Sequence, residues 1–153
     1  MKNWEKKAME AQKIPSLLLM ERAALAVVEE LLSGKYDLKK ILIACGTGNN
    51  GGDGFAIARF MMQKGYDTHV CLVGAMDKLS VDAKHQLEMY QAISGKFVTA
   101  PAYHEYTVIV DAIFGIGCNR NITGIAAEVI ENMNRANVQI VAVDVPSGIS
   151  ADT

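Results

Sequence analysis

Lys40-Ile-Leu-Ile-Ala-Cys45 runs directly into Gly46-Thr-Gly-Asn-Asn-Gly-Gly-Asp-Gly-Phe55, and the reading of this stretch decides the fold. A short unbroken apolar run reads as a strand buried on both faces. The glycines that break it mark a tight turn, and Gly54 to Lys64, stopped by Gly65, reads as the helix that follows. His69-Val-Cys-Leu-Val73 is a second buried strand. Upstream, Ser16 after Pro15 is the candidate cap of an amphipathic helix carrying Leu17, Met20, Ala24, Val27, Val28, Leu31 and Leu32 before Gly34. Downstream, Ser80 to Ile93 predicts a helix with Ser80 as cap and Gly95 as stop, and Lys96 to Thr99 a short strand. Gly124 to Ala136 then forms a helix between two more buried strands, Thr107-Val-Ile-Val-Asp111 and Gln139-Ile-Val-Ala-Val-Asp144. Strands alternating with helices pair in parallel through right-handed crossovers, which predicts a three-layer α/β/α sandwich with a mostly parallel sheet.

A chain of 153 residues has room for a single domain, and a 50% hydrophobic composition is enough to build its core. Seventeen acidic against fifteen basic residues leave a net charge of −2, without the basic excess that a nucleic-acid partner requires. No apolar run reaches the ~18 residues of a membrane span. Glu21 and Arg22 also interrupt Leu17 to Met20 too early for a signal peptide. Cys45, Cys71 and Cys118, odd in number and widely spaced, read as reduced core residues of a cytoplasmic protein.

The glycine-rich loop narrows the chemistry. Gly46, Gly48 and Gly51 match the dinucleotide fingerprint, yet Leu72-Val73-Gly74 stands where an acid should hold a ribose hydroxyl, which disfavours an ordinary NAD dehydrogenase. Gly46 and Gly51 also have phosphate-loop spacing, but Gly52 and Asp53 replace its lysine and hydroxyl residue. Five glycines around two asparagines suit an anion cradle whose backbone uses positive φ, the alternative being a tight turn with nothing bound. Asp53 either caps the helix or contacts a ligand. Asp111 and Asp144 close buried strands in matching contexts, Val-Asp-Ala-Ile-Phe-Gly-Ile and Val-Asp-Val-Pro-Ser-Gly-Ile, and open parallel sheets bind ligands outside such strand ends.

These residues resemble a known family. Asn49-Asn-Gly-Gly-Asp-Gly-Phe55 with Ala58-Arg59, Val110-Asp-Ala-Ile-Phe-Gly-Ile-Gly117, Val143-Asp-Val-Pro-Ser-Gly-Ile149 and Ala151-Asp-Thr153 are similar to motifs of the YjeF N-terminal domain family, the NAD(P)HX epimerases. Leu19-Met-Glu-Arg-Ala23 resembles its N-terminal signature. The resemblance implies a Rossmann-like sandwich that interconverts the R and S forms of the hydrated cofactors NADHX and NADPHX, a metabolite-repair step serving a dehydratase. It implies that the substrate is bound by Asn49, Asn50, Gly51, Gly52 and Asp53, by Gly115, Ile116, Gly117, Cys118, Asn119, Arg120 and Asn121, and by Asp144. It also implies a potassium ion on Asn50, Asp111 and Ser147, an oxygen donor set of the kind a hard cation takes. Members depart from this chain in having Gly at the positions of Lys13 and Ala24. They also continue past the last motif, so the sheet is expected to lack its C-terminal strands and a homodimer is expected to cover the exposed edge.

The epimerisation needs a group that protonates a leaving hydroxyl and takes a proton back, a role assigned here to Asp144. Ser147 lies outside any G-x-S-x-G elbow, and His69, His85 and His104 read as strand, helix-surface and loop residues. Arg120 is either a phosphate partner or a solvated loop residue. The methionines read as core filler or a subunit contact. A non-catalytic nucleotide-binding module and a Rossmann-type oxidoreductase remain the competing classes.

Overall fold

Ile41, Ile43 and Cys45 point to one side of their strand and Leu42 and Ala44 to the other, and all five are fully buried. Both faces of the sheet must therefore be covered, and they are. The computed structural model describes residues 13–115 and 124–144. In chain order the elements are α1 (Ser16–Leu31), β1 (Ile41–Cys45), α2 (Asn49–Gln63), β2 (Thr68–Leu72), α3 (Val81–Ala92), β3 (Lys96–Phe97), β4 (Val108–Ala112), α4 (Gly124–Arg135) and β5 (Gln139–Ala142). The strands lie in the order β3-β2-β1-β4-β5, and every described pairing is parallel. One face packs Ala24, Val28 and Leu31 of α1, Phe55 to Ala58 and Met61 of α2, and Leu87 and Tyr90 of α3 on the odd-numbered side of β1. The other packs Val129 and Met133 of α4 with Tyr106 on Leu42 and Ala44. This is the Rossmann-like sandwich expected, with a sheet parallel throughout the described residues. Among those residues, no helix is long and apolar enough to cross a membrane.

Several element ends differ from the sequence reading. Pro15, extended at φ −60° and ψ 140°, occupies the cap position and its carbonyl accepts from Leu18 and Leu19, so Ser16 is the first helical residue and not the cap. Ser80 does cap α3, its Oγ accepting from the Ala83 amide at 3.2 Å. Helix α2 starts at Asn49, five residues before Gly54, because its glycines serve packing and do not break the helix. Asp53 is thus inside the helix and is not its cap. After α3 the left-handed turn falls on Ser94 (φ 60°), whereas Gly95 is required because any Cβ there would lie 2.3–2.4 Å from the Tyr90 ring.

The glycines of the loop after β1 have a related purpose. Positive φ among the described glycines occurs at Gly34, Gly65, Gly74 and Gly124, and at none of Gly46, Gly48, Gly51, Gly52 or Gly54. The expected left-handed cradle is therefore absent. What four of these positions require is contact distance. A Cβ on Gly46 would lie 2.1 Å from the Ile113 carbonyl oxygen, and one on Gly51 only 1.8 Å from the Gly46 carbonyl oxygen. At Gly54 it would meet the Ala112 Cβ and the Cys45 Sγ at 2.7 Å, and at Gly52 the Met20 thioether at the same distance. Together they set the N-terminal half of α2 directly on the ends of β1 and β4.

The three helices on that face are also joined by polar groups. Arg59 of α2 pairs with Glu21 of α1, and Gln86 of α3, fully buried, donates to the same Glu21 carboxylate at 2.9 Å. Arg59 and Glu21 side chains are 13% and 25% exposed, so removing one charge strands the other in a largely dry site. On the opposite face His69 joins the Tyr106 hydroxyl (2.8 Å) and Asp67 (3.0 Å). Because a carboxylate can only accept, Nε2–H donates to Asp67 and Nδ1 accepts from Tyr106, which makes His69 a satisfied structural histidine.

Two outcomes are expected in urea unfolding. Glu21→Ala should cost about 2–4 kcal/mol, the charge it orphans being largely but not wholly buried. Gly51→Ala should cost at least ~3 kcal/mol, while Gly48→Ala, where nothing lies within 4 Å of the added Cβ, should cost less than ~1 kcal/mol. Equal losses at Gly48 and Gly51 would contradict the close-approach argument.

Candidate functional site

The strand order reverses at β1 and β4, since the chain leaves β1 toward β2 on one side and leaves β4 toward β5 on the other. Loops that diverge in this way open a crevice at the carboxyl ends of the strands. Residue pairing continues to its lip: Gly46 N–H donates to Ala112 O (3.0 Å), Val73 N–H to Cys45 O (2.7 Å) and Val143 N–H to Asp111 O (3.1 Å). The segments carrying Asn50, Gly115 and Asp144 therefore emerge side by side.

The N-terminus of α2 faces this crevice. Its first helical bond runs from Gly52 N–H to Gly48 O at 3.2 Å, so the amides of Asn49, Asn50 and Gly51 have no intrahelical acceptor. These amides and the helix dipole present positive potential to an anion. The positive potential here comes from helix geometry and not from the left-handed loop expected from the glycines.

Beside it, Asn50 Nδ2 donates to the Phe114 carbonyl at 2.9 Å. Only the amide nitrogen can face that oxygen, so the side chain's carbonyl oxygen is its remaining donor atom for a cation or ligand. Gly115 lies between two expected site residues: a Cβ there would come within 3.2 Å of Asp144 Oδ2 and 3.7 Å of Asn50 Cβ and Cγ. Asp144 is exposed, whereas Asp111, penultimate in β4, is 3% exposed and accepts from the Ile113 amide through Oδ1 at 3.2 Å. Carboxylate and carboxamide oxygens alone make up this donor set, which fits a hard cation such as potassium and not a thiophilic metal. Below the loop, burial first, and then Cys71 and Asp53, push the Cys45 thiol well up, so it stays protonated and unreactive.

The remaining site residues divide into three groups. Asn49 stands apart from the Asn50–Asp144 cluster, its Oδ1 accepting from Ser80 Oγ at 2.6 Å. Ser80 N–H donates in turn to Thr47 O at 2.8 Å, which ties the N-termini of α2 and α3 together. The sequence reading found Ser80 as a cap but missed this second role, because nothing in local spacing reports a contact across 31 residues. Gly51 and Gly52 are buried and act through backbone and packing. Ile116, Gly117, Cys118, Asn119, Arg120, Asn121 and Ser147 lie outside the described residues.

Residues 16–153 match the family described as YjeF-related protein N-terminus. The NAD(P)H-hydrate epimerase of Weissella koreensis is 46% identical over 145 residues, covering 92% of this chain and 64% of that protein. A bifunctional NAD(P)H-hydrate repair enzyme of Moorella thermoacetica is 40% identical over 155 residues, covering 92% of this chain and 29% of that enzyme. A yeast protein of known crystal structure superposes with a TM-score of 0.78 at 27% identity, over 94% of this chain and 67% of its own. The chain thus spans about two thirds of the Weissella relative's length. It belongs to the YjeF-related N-terminal domain family.

Proposed function

We propose that this chain is an NAD(P)H-hydrate epimerase, interconverting the R and S forms of NADHX and NADPHX. The observation that carries the reading is the convergence of Asn50 and Asp144 on Gly115 at the switch point, with the α2 N-terminus alongside. That arrangement offers an anion site for a pyrophosphate next to a carboxylate able to reach a reacting ring. The bifunctional name of the Moorella relative supports functional coupling to a dehydratase. The names of the relatives favour an enzyme over a non-catalytic scaffold. The proposed setting is the cytoplasm and the proposed assembly a homodimer.

In this reading the nicotinamide ring nitrogen expels the carbon 6 hydroxyl while Asp144 gives it a proton, so water leaves. The planar cation that remains accepts water from either face, and Asp144 takes a proton back, which balances the cycle. Asn49 to Asp53 and Gly115 to Asn121 hold the substrate. Potassium would be held by Asn50, Asp111 and Ser147 and would supply fixed positive charge.

Asp144→Asn keeps shape and hydrogen bonding but cannot carry a proton. With R-NADHX and a coupled dehydratase, its saturated rate should fall ~10²- to 10⁴-fold, with substrate affinity changed less than about tenfold. Retention of more than about a tenth of the parent rate would remove Asp144 from the proton-carrying role. Asp111→Ala should weaken cofactor binding and abolish stimulation by potassium while the fold survives. If mutant and parent respond equally to a potassium titration, Asp111 is not a ligand.

A further inference from the structure

Asn49 and Asn50 open helix α2 side by side, and their carboxamides are held in opposite senses. Asn50 donates through Nδ2 to the Phe114 carbonyl and keeps its oxygen available. Asn49 is held at its oxygen instead, by Ser80 Oγ at 2.6 Å. That separation is usual for an O–H···O bond and short for an N–H···O one, so Ser80 donates and Asn49 Oδ1 accepts. The same hydroxyl accepts the Ala83 amide at 3.2 Å as the cap of α3, which leaves its single proton for Asn49. Asn49 is exposed, and among the described residues its Nδ2 has no hydrogen-bond partner. Ser80 is itself fixed, its backbone N–H donating to Thr47 O at 2.8 Å. Gly74, at φ +123°, seats the segment before it on the same residue, since a Cβ there would lie 2.7 Å from Thr47 Cγ2.

We propose that Ser80 is a positioning residue for substrate binding: it holds Asn49 with its amide N–H groups turned to the pyrophosphate, beside the backbone amides that open α2. The inference rests on the epimerase reading for the identity of the anion, but not for the orientation of Asn49. The last torsion of an asparagine is soft and nearly twofold, so without Ser80 the carboxamide turns over freely. Its oxygen then faces the phosphates for part of the time, and repulsion replaces a donated bond. Asn49 stands apart from the Asn50–Asp144 cluster, so this contact is remote from the reacting ring and is the same before and during reaction. An interaction of that kind acts on KM and not on kcat. The adjacent asparagines thus divide the work, Asn49 offering donors to an anion and Asn50 an oxygen to a cation.

Ser80→Gly removes the hydroxyl at little cost to the cap, Ser80→Ala removes hydroxyl and cap together, and Ser80→Thr keeps both. Turnover of R-NADHX with a coupled dehydratase reads KM and kcat, and calorimetry with inorganic pyrophosphate reads an affinity without turnover. Ser80→Gly and Ser80→Ala should each raise KM and the pyrophosphate Kd about five- to tenfold and change kcat less than about threefold. Only Ser80→Ala should lower the unfolding temperature appreciably, and Ser80→Thr should stay within about twofold of the parent throughout. Placed on Asn49→Ala, Ser80→Gly should add less than about twofold, because the group it acts through is gone. Full additivity in that pair overturns the proposal. So does a pyrophosphate affinity in Asn49→Asp equal to the parent's, since that variant keeps the oxygen for Ser80, suits the start of a helix and puts a second oxygen where the donors were. A parent that turns over R-NADHX while Ser80→Gly keeps its KM overturns the role of Ser80 and leaves the epimerase reading standing. A parent that binds pyrophosphate with the expected Ser80 and Asn49 effects, yet does not turn over R-NADHX, supports the role and overturns that reading. A parent that neither binds pyrophosphate nor turns over R-NADHX overturns both.

Discussion

The distance between the N-terminus of α2 and the ends of β1 and β4 is the constraint on which the rest of this structure depends. Backbone packs on backbone there, with Gly46 against Ile113 and Gly51 against Gly46, at separations that no Cβ could share. Because α2 sits so low, its first amides, which have no intrahelical acceptor, lie at the switch point. For the same reason Asn50 reaches across to Phe114, which leaves its side-chain oxygen as the atom available to a ligand. An added methyl at Gly51 would lift the helix, and the anion site and the Asn50 contact would move with it.

That close seat is held from the outside by the Arg59–Glu21–Gln86 group, which links α2 to α1 and α3 on the face away from α4. A buried ion pair of this kind adds little net stability, because desolvation offsets most of its attraction. What it supplies is registry: helices that could slide along an apolar face are pinned where three polar groups meet. Ser80 does the same at the helix ends, joining Asn49 and Thr47 to the cap of α3. The N-termini of α2 and α3 are therefore tied to each other.

Electrostatics divides the two aspartates. Asp111 is buried and bonded to the Ile113 amide, a placement suited to a fixed ligand. Asp144 lies past the end of β5 and is exposed, a placement suited to a group that must meet a substrate and exchange protons. Similar flanking sequences thus end in different environments, because β4 lies between β1 and β5 whereas Asp144 has already left the sheet.

Sequence alone determined the succession of strands and helices along the chain, the parallel sheet and the strand-end location of the motifs. Apolar runs such as Ile41 to Cys45 and stops such as Gly65 act over a few residues and are legible without neighbours. The start of α2, the purpose of its glycines and the meeting of Asn50, Gly115 and Asp144 were decided only by tertiary structure. Glycine permits both positive φ and close approach, and only the opposing backbone shows which is used. The same holds at Gly95, where the Tyr90 ring and not the turn excludes a side chain. Arg59 read as a motif residue and became a buried link, because its partners lie 38 and 27 residues away and no local spacing reports them.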